Sequence, residues 1–136
     1  MESPPILDTN VILRHLRQDH LDHSPRATAF LHQVERGDLR VRIPDTVVFE
    51  TVFSLESFYG EPRAAIRDVM LSLIALEGVV LSGKRHLSRV FDLYVTTPLS
   101  FADAFHAALA ERLGGGTIVS FDRHFDRVPG LQRVEP

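Results

Sequence analysis

PPILDTNVILRHL, residues 4–16, is the stretch on which the reading of this chain turns. The apolar pair Ile6-Leu7 breaks into Asp8-Thr9-Asn10, and Val11, Ile12, Leu13 and Leu16 then resume near helical spacing. A short strand running into an amphipathic helix accounts for that change of period. An acid at such a join is costly if it is partly buried, so Asp8 needs a reason. Capping is one, because a side-chain oxygen there accepts from the helix's unpaired first N–H groups. Three cap-competent residues in a row exceed what one cap requires, and the surplus points to a site.

Outward from this stretch the alternation of strand and helix repeats. Ser24-Pro25 suits a helix start, with Ser as N-cap, and Gly37 suits its end. LRVRIP, residues 39–44, alternates Leu39, Val41 and Ile43 against Arg40 and Arg42, as a strand with one dry face does. A helix is expected from Asp45 to Phe58, stopped by Gly60, and another from Pro62 through Ile66, Met70 and Leu73. GVVLS at 78–82 reads as a buried strand, and a helix carrying Leu87, Val90, Phe91 and Tyr94 follows. Ser100–Leu113 is a further helix, TIVSFD at 117–122 a fourth strand, and LQRVEP at 131–136 a weak edge strand. Strands alternating with helices imply a parallel sheet covered by helices. Ligands of such sheets bind beyond the carboxyl ends of the strands. Asp8 ends the first strand and Asp122 the fourth.

The composition narrows the chemistry. A chain of 136 residues reads as one domain, 1–136. It has no cysteine, which excludes disulfides, thiol catalysis and Cys-containing zinc sites; a reducing cytoplasm is the expected setting. No apolar run has the length of a membrane span, and Met1-Glu2-Ser3 lacks the basic start of a signal peptide. The net charge of -3 argues against nucleic-acid binding by surface charge alone. The cations are 14 arginines and one lysine, Lys84, a bias that suits bidentate phosphate contacts or simply follows base composition.

Four acids stand out, each with an ordinary explanation beside the functional one. Asp8 serves as a cap or a ligand. Glu50 shares a narrow polar strip with Thr51 and Ser54 on a helix otherwise apolar through Val48, Phe49, Val52, Phe53 and Leu55, so it is either solvated or facing a ligand. Asp103 follows Ser100 at capping-box spacing and favours the helix dipole; Ala102, Ala107 and Ala110 leave space around it. Asp122 is a turn acid or a site acid, and Asp126 reads as a surface charge. Two carboxylates 5–6 Å apart repel by about 3 kcal/mol at an effective dielectric near 20. Gathering four therefore calls for a hard divalent cation, Mg²⁺ or Mn²⁺, and two such ions can hydrolyse a phosphodiester.

These motifs, LDTNVILRHL, the Glu50 helix, FADAFHAALA and VSFDRHFDRVPGL, resemble those of PIN-domain ribonucleases, in particular the VapC-type toxins of bacterial toxin–antitoxin pairs. The resemblance runs over nearly the whole chain in the family's order. It implies an α/β three-layer fold whose mainly parallel sheet has strand order 3-2-1-4-5. It also implies endonucleolytic cleavage of RNA, Mg²⁺ (or Mn²⁺) held by Asp8, Glu50, Asp103 and Asp122, and support from Asn10 and Ser120, where Ser120 stands in place of the family's frequent Thr. A homodimer and a cognate antitoxin protein are implied as partners. Two alternatives remain at this stage: a non-catalytic RNA-binding or interaction module, and a DNA-directed nuclease of the same fold. A haloacid-dehalogenase-type phosphatase fits less well, because Asn10 stands where its second Asp belongs. A receiver domain would need an acidic pair and a late lysine. QDHLDH, residues 18–23, reads as a polar loop rather than a zinc site. Arg14 and His106 are possible participants with equally ordinary surface roles.

Overall fold

The first strand is almost entirely a single parallel bridge, Ile6 to Arg42. Around it the Leu7 N–H donates to the Arg42 carbonyl at 2.9 Å and the Arg42 N–H to the Pro5 carbonyl at 2.8 Å. The computed structural model that shows this describes residues 3–136, so Met1 and Glu2, which entered the reading for a signal peptide, lie outside the described residues. From Thr9 the chain continues as α1 (Thr9–Arg17), α2 (His23–Glu35), β1 (Val41–Arg42), α3 (Asp45–Ser57), α4 (Arg63–Ile74) and β2 (Val79–Val80). Then come α5 (Leu87–Thr96), α6 (Phe101–Leu113), β3 (Thr117–Val119) and β4 (Gln132–Val134). Short 3-10 turns at Lys84–His86 and Arg123–Arg127 precede α5 and β4.

Helix ends follow local chemistry. Ser100 caps α6, its hydroxyl accepting from the Asp103 N–H at 3.1 Å. α1 stops at Gln18, a non-glycine residue at φ 52. Its amide donates to the His15 carbonyl at 2.6 Å and the Thr28 hydroxyl at 2.8 Å, which offsets the left-handed backbone. α2 begins at His23, two residues before Pro25, the expected first helical residue, so Ser24 is not its cap. Ser24 is buried instead, and its hydroxyl accepts from the His20 N–H. Gly37, at φ 78, follows the end of α2 as expected.

β1 pairs with β2 in parallel, and β3 with β4 in parallel. With the Ile6 bridge, the strands of the sequence reading appear as 3-2-1 on one side and 4-5 on the other. Among the described residues no ladder joins the first strand to β3. Ile6 and Val119 are 60% and 66% exposed. What the structure establishes is an α/β fold with parallel pairing, in two sheet segments.

One continuous apolar cluster holds these parts together. Leu7 and Ile12 meet Leu31 and Val34 of α2, Val41 and Ile43 of β1, Val48 and Val52 of α3, and Ile66 and Met70 of α4. Phe91 and Tyr94 of α5 pack on Phe101 of α6, ring centroids 5.0 and 5.5 Å apart. Each fully buried aliphatic or Phe side chain contributes roughly 1.5–3 kcal/mol. The cluster also fixes α1, α3 and α6 relative to one another, and these helices carry three of the four acids.

Candidate active site

Asp8 occupies the N-cap position of α1, with extended backbone (φ -86, ψ 153), yet its side chain makes no capping hydrogen bond. The carboxylate is exposed at the carboxyl end of the first strand. Beside it, buried Thr9 donates its hydroxyl to Glu50 at 3.3 Å. That bond ties the start of α1 to the middle of α3. Thr9 figured in the sequence only as a third potential cap; its recoverable signal is a polar residue on the side of α1 that also buries Ile12.

Glu50 is exposed, as one of the two readings required. The rest of its polar strip is placed differently. Thr51 is fully buried, its hydroxyl donating to the Val47 carbonyl at 2.7 Å, while Phe53 is 62% exposed. Phe49, the neighbour of Glu50, packs edge-on against Phe101 and Phe105, centroids 5.4 and 5.1 Å away. The first turn of α6, which carries half-buried Asp103, is thereby locked to α3 at the residue before Glu50. At Asp103 only the backbone serves the cap: its N–H donates to Ser100, and its carboxylate is not used by it.

Asp122 lies beyond β3 in a tight turn. Its carboxylate accepts from the His124 N–H at 2.9 Å, and the His124 ring nitrogen lies 3.2 Å away. The Asp122 N–H donates to the Ser120 hydroxyl at 2.9 Å, so Ser120 shapes this turn. His124 escaped the sequence reading; its signal is its place two residues after Asp122. Asp126 is engaged elsewhere: the Arg133 guanidinium, 2.9 Å away, holds its carboxyl below the ordinary 3.8. Asn10 and Arg14 line, with Asp8, a groove of about 730 Å³ along α1 and α2. Arg14 pairs loosely with Asp19 at 3.7 Å, and His106 is exposed on α6. In QDHLDH the rings of His20 and His23 stack at 4.0 Å, and His20 accepts from the backbone N–H of Asp22 and His23. That is a turn built on an imidazole acceptor.

Asp8 at the start of α1 and Asp103 on α6 thus flank α3, which carries Glu50 and packs on both helices, whereas Asp122 belongs to the β3–β4 segment that packs on α6. Among the described residues none of the four forms an ion pair with an arginine or lysine. Their all-oxygen donor set suits a hard divalent cation by chemistry. By position, no three His, Asp or Glu side chains among the described residues lie close enough to hold one metal ion.

The PIN domain family model matches residues 6–131. The chain is also 25% identical over 131 residues to a VapC ribonuclease of Aquifex aeolicus (strain VF5), covering 96% of each protein.

Proposed function

The chain belongs to the PIN domain family, and from that premise we propose that it is a metal-dependent endoribonuclease acting as the toxin of a toxin–antitoxin module. The observation that carries this reading is Asp8. It stands at the N-cap of α1, leaves the capping bond unmade and has no Arg or Lys partner among the described residues. A carboxylate kept out of both ordinary uses, one residue from the Thr9–Glu50 bond, is available as a ligand. The similarity to a VapC ribonuclease supports the choice of RNA and of an antitoxin partner.

In this reading Asp8, Glu50, Asp103 and Asp122 hold Mg²⁺ or Mn²⁺, and the same four form the catalytic set. Bound there, such ions supply charge neutralisation at a phosphodiester and a more acidic water, in a two-metal-type hydrolysis. The chain's own residues do the positioning. Thr9 restrains the Glu50 side chain, Ser100 fixes the turn that presents Asp103, and Ser120 with His124 fixes the turn that presents Asp122. Asn10, exposed beside Asp8, supports the site by hydrogen bonding. Exposed like charges keep apart in water, and a shared cation removes that cost. The reading includes one domain over residues 1–136, a single sheet of order 3-2-1-4-5, a cytoplasmic setting and a homodimer. No helix among the described residues is long and apolar enough to cross a membrane. Exposed Phe53 and Phe58, whose rings meet edge-on at 6.5 Å, offer apolar surface for self-association, which size-exclusion chromatography with light scattering tests.

The decisive experiment is cleavage of purified total RNA with Mg²⁺ or Mn²⁺, comparing wild type with Asp8→Asn. Metal-dependent cleavage that disappears in the variant is the expected result. A folded wild type that cuts no RNA would overturn the reading in favour of a binding module. Cleavage of DNA alone would move the assignment to a DNA-directed nuclease.

A further inference from the structure

A second cavity, of about 940 Å³, is lined by none of the four acids. It lies between the turn after β2, the start of α5 and the outer face of α6. Its cations sort into two kinds. Lys84 is spent on the fold, its ammonium donating to the carbonyls of Leu76 and Val79 at 3.1 and 3.0 Å. Arg89 is neutralised, held by Glu111 at 2.9 and 2.8 Å and by Asp92 at 2.8 Å. Arg85 and Arg112 are exposed, and neither makes an ion pair among the described residues.

Between these two arginines stands His86. Arg85 donates to its ring Nε2 at 3.4 Å. Burial, and then the nearby charges of Arg112 and Arg85, keep the imidazole below its ordinary pKa. Two guanidiniums and an imidazole thus line one cavity, and its remaining acid, Asp45, belongs to α3. An anion with several acceptor oxygens relieves that crowding, and guanidinium suits phosphate in particular.

The cavity shares two helices with the candidate active site, α3 through Asp45 and Glu50, and α6 through Arg112 and Asp103. Asp45 follows β1 and Ser82 follows β2, so it opens at the carboxyl ends of the strands, the edge at which Asp8 ends the first. Phe105 lines it, and the Phe49–Phe105 contact separates it from the α3 residue Glu50. Along α6, Arg112 lies nine residues from Asp103, roughly 13–14 Å at the helical rise, a span that a few nucleotides cover.

We propose that this cavity is a phosphate subsite for single-stranded RNA, in which Arg85 and Arg112 hold a backbone phosphate flanking the one that is cleaved. The inference rests on the ribonuclease reading for its ligand. It answers the charge objection locally, because a chain of net charge -3 still presents two unneutralised arginines beside the site. Backbone contacts of this kind position the strand without reading its bases.

The test uses fluorescence anisotropy of a short labelled single-stranded RNA of mixed sequence, in EDTA, across a salt series. It compares wild type, Arg85→Ala/Arg112→Ala and Arg85→Lys/Arg112→Lys. The alanine pair should bind about tenfold or more weakly. Its log-affinity against log-salt slope should be shallower by about 0.7, the loss of one neutralised phosphate. The lysine pair should keep the wild-type slope. With metal present, the alanine pair should raise KM and leave kcat unchanged. Wild-type affinity and slope in a folded alanine pair would overturn the subsite while the nuclease reading stands. A wild type that binds through these arginines yet cleaves nothing would do the reverse. A wild type with no affinity for RNA overturns both.

Discussion

Asp8 sits where a cap belongs and caps nothing, which separates its effect on stability from its effect on function. Asp8→Asn should therefore change unfolding free energy by no more than about 0.5 kcal/mol while removing metal-dependent cleavage; thermal melting beside the RNA assay checks both. Ser100 is the opposite case. Ser100→Ala deletes the acceptor of the Asp103 N–H and should cost about 1 kcal/mol. Asp126 makes a third prediction, in pH. Arg133 depresses its folded pKa below 3.8. Its contribution to stability is therefore present above that value and lost as pH falls through the lower folded value. The melting temperature of wild type should fall more steeply on acidification across that window than that of Asp126→Asn. At this scale the sequence was legible for Ser100, whose cap depends on neighbours three residues away. It was silent on whether Asp8 caps, because a side-chain rotamer is chosen by what surrounds it.

At the scale of elements, the helix positions follow from apolar spacing, but the face that α3 buries does not. A broadly apolar helix has little preference for one rotation, so packing decides it. Thr51 consequently went inward, satisfied by the Val47 carbonyl, and Phe53 outward. The α5–α6 corner depends on Arg63, whose guanidinium donates to the carbonyls of Tyr94, Thr97 and Leu99 and to Glu56. It also lies over the Tyr94 ring at 4.3 Å. Arg63→Ala should cost about 2–3 kcal/mol by stripping charge-assisted hydrogen bonds. Arg63→Lys should recover little, since an ammonium cannot span the same acceptors; denaturant titration of both variants decides this. Gly78 marks where α2 meets β2. A Cβ there would lie against the Leu39 and Val34 carbonyl oxygens, a close approach that only glycine allows.

Across the whole molecule, Val41, Ile43 and Val79 are buried in the core, while β3 and β4 form a separate pair whose Val119 is largely exposed. Hydrogen exchange should reflect this. The N–H groups of Val41 and Ile43, bonded to Gly78 and Val80, should exchange more slowly than those of Ser120 and Gln132, bonded to Val134 and Gly116. Equal protection would mean that the two segments open as one unit. The sequence by itself determined the alternation of helices and parallel strands, the strand-end places of Asp8 and Asp122, and the identity of the candidate acids. Those features follow from local periodicity and from residue types that bury poorly. Tertiary structure alone decided that Thr9 would hold Glu50, that Phe49 would bring α3 to the first turn of α6, and that Arg85 and Arg112 would face one cavity unpaired. Each of these joins residues far apart in the chain, and no local pattern records which distant partner a side chain will meet.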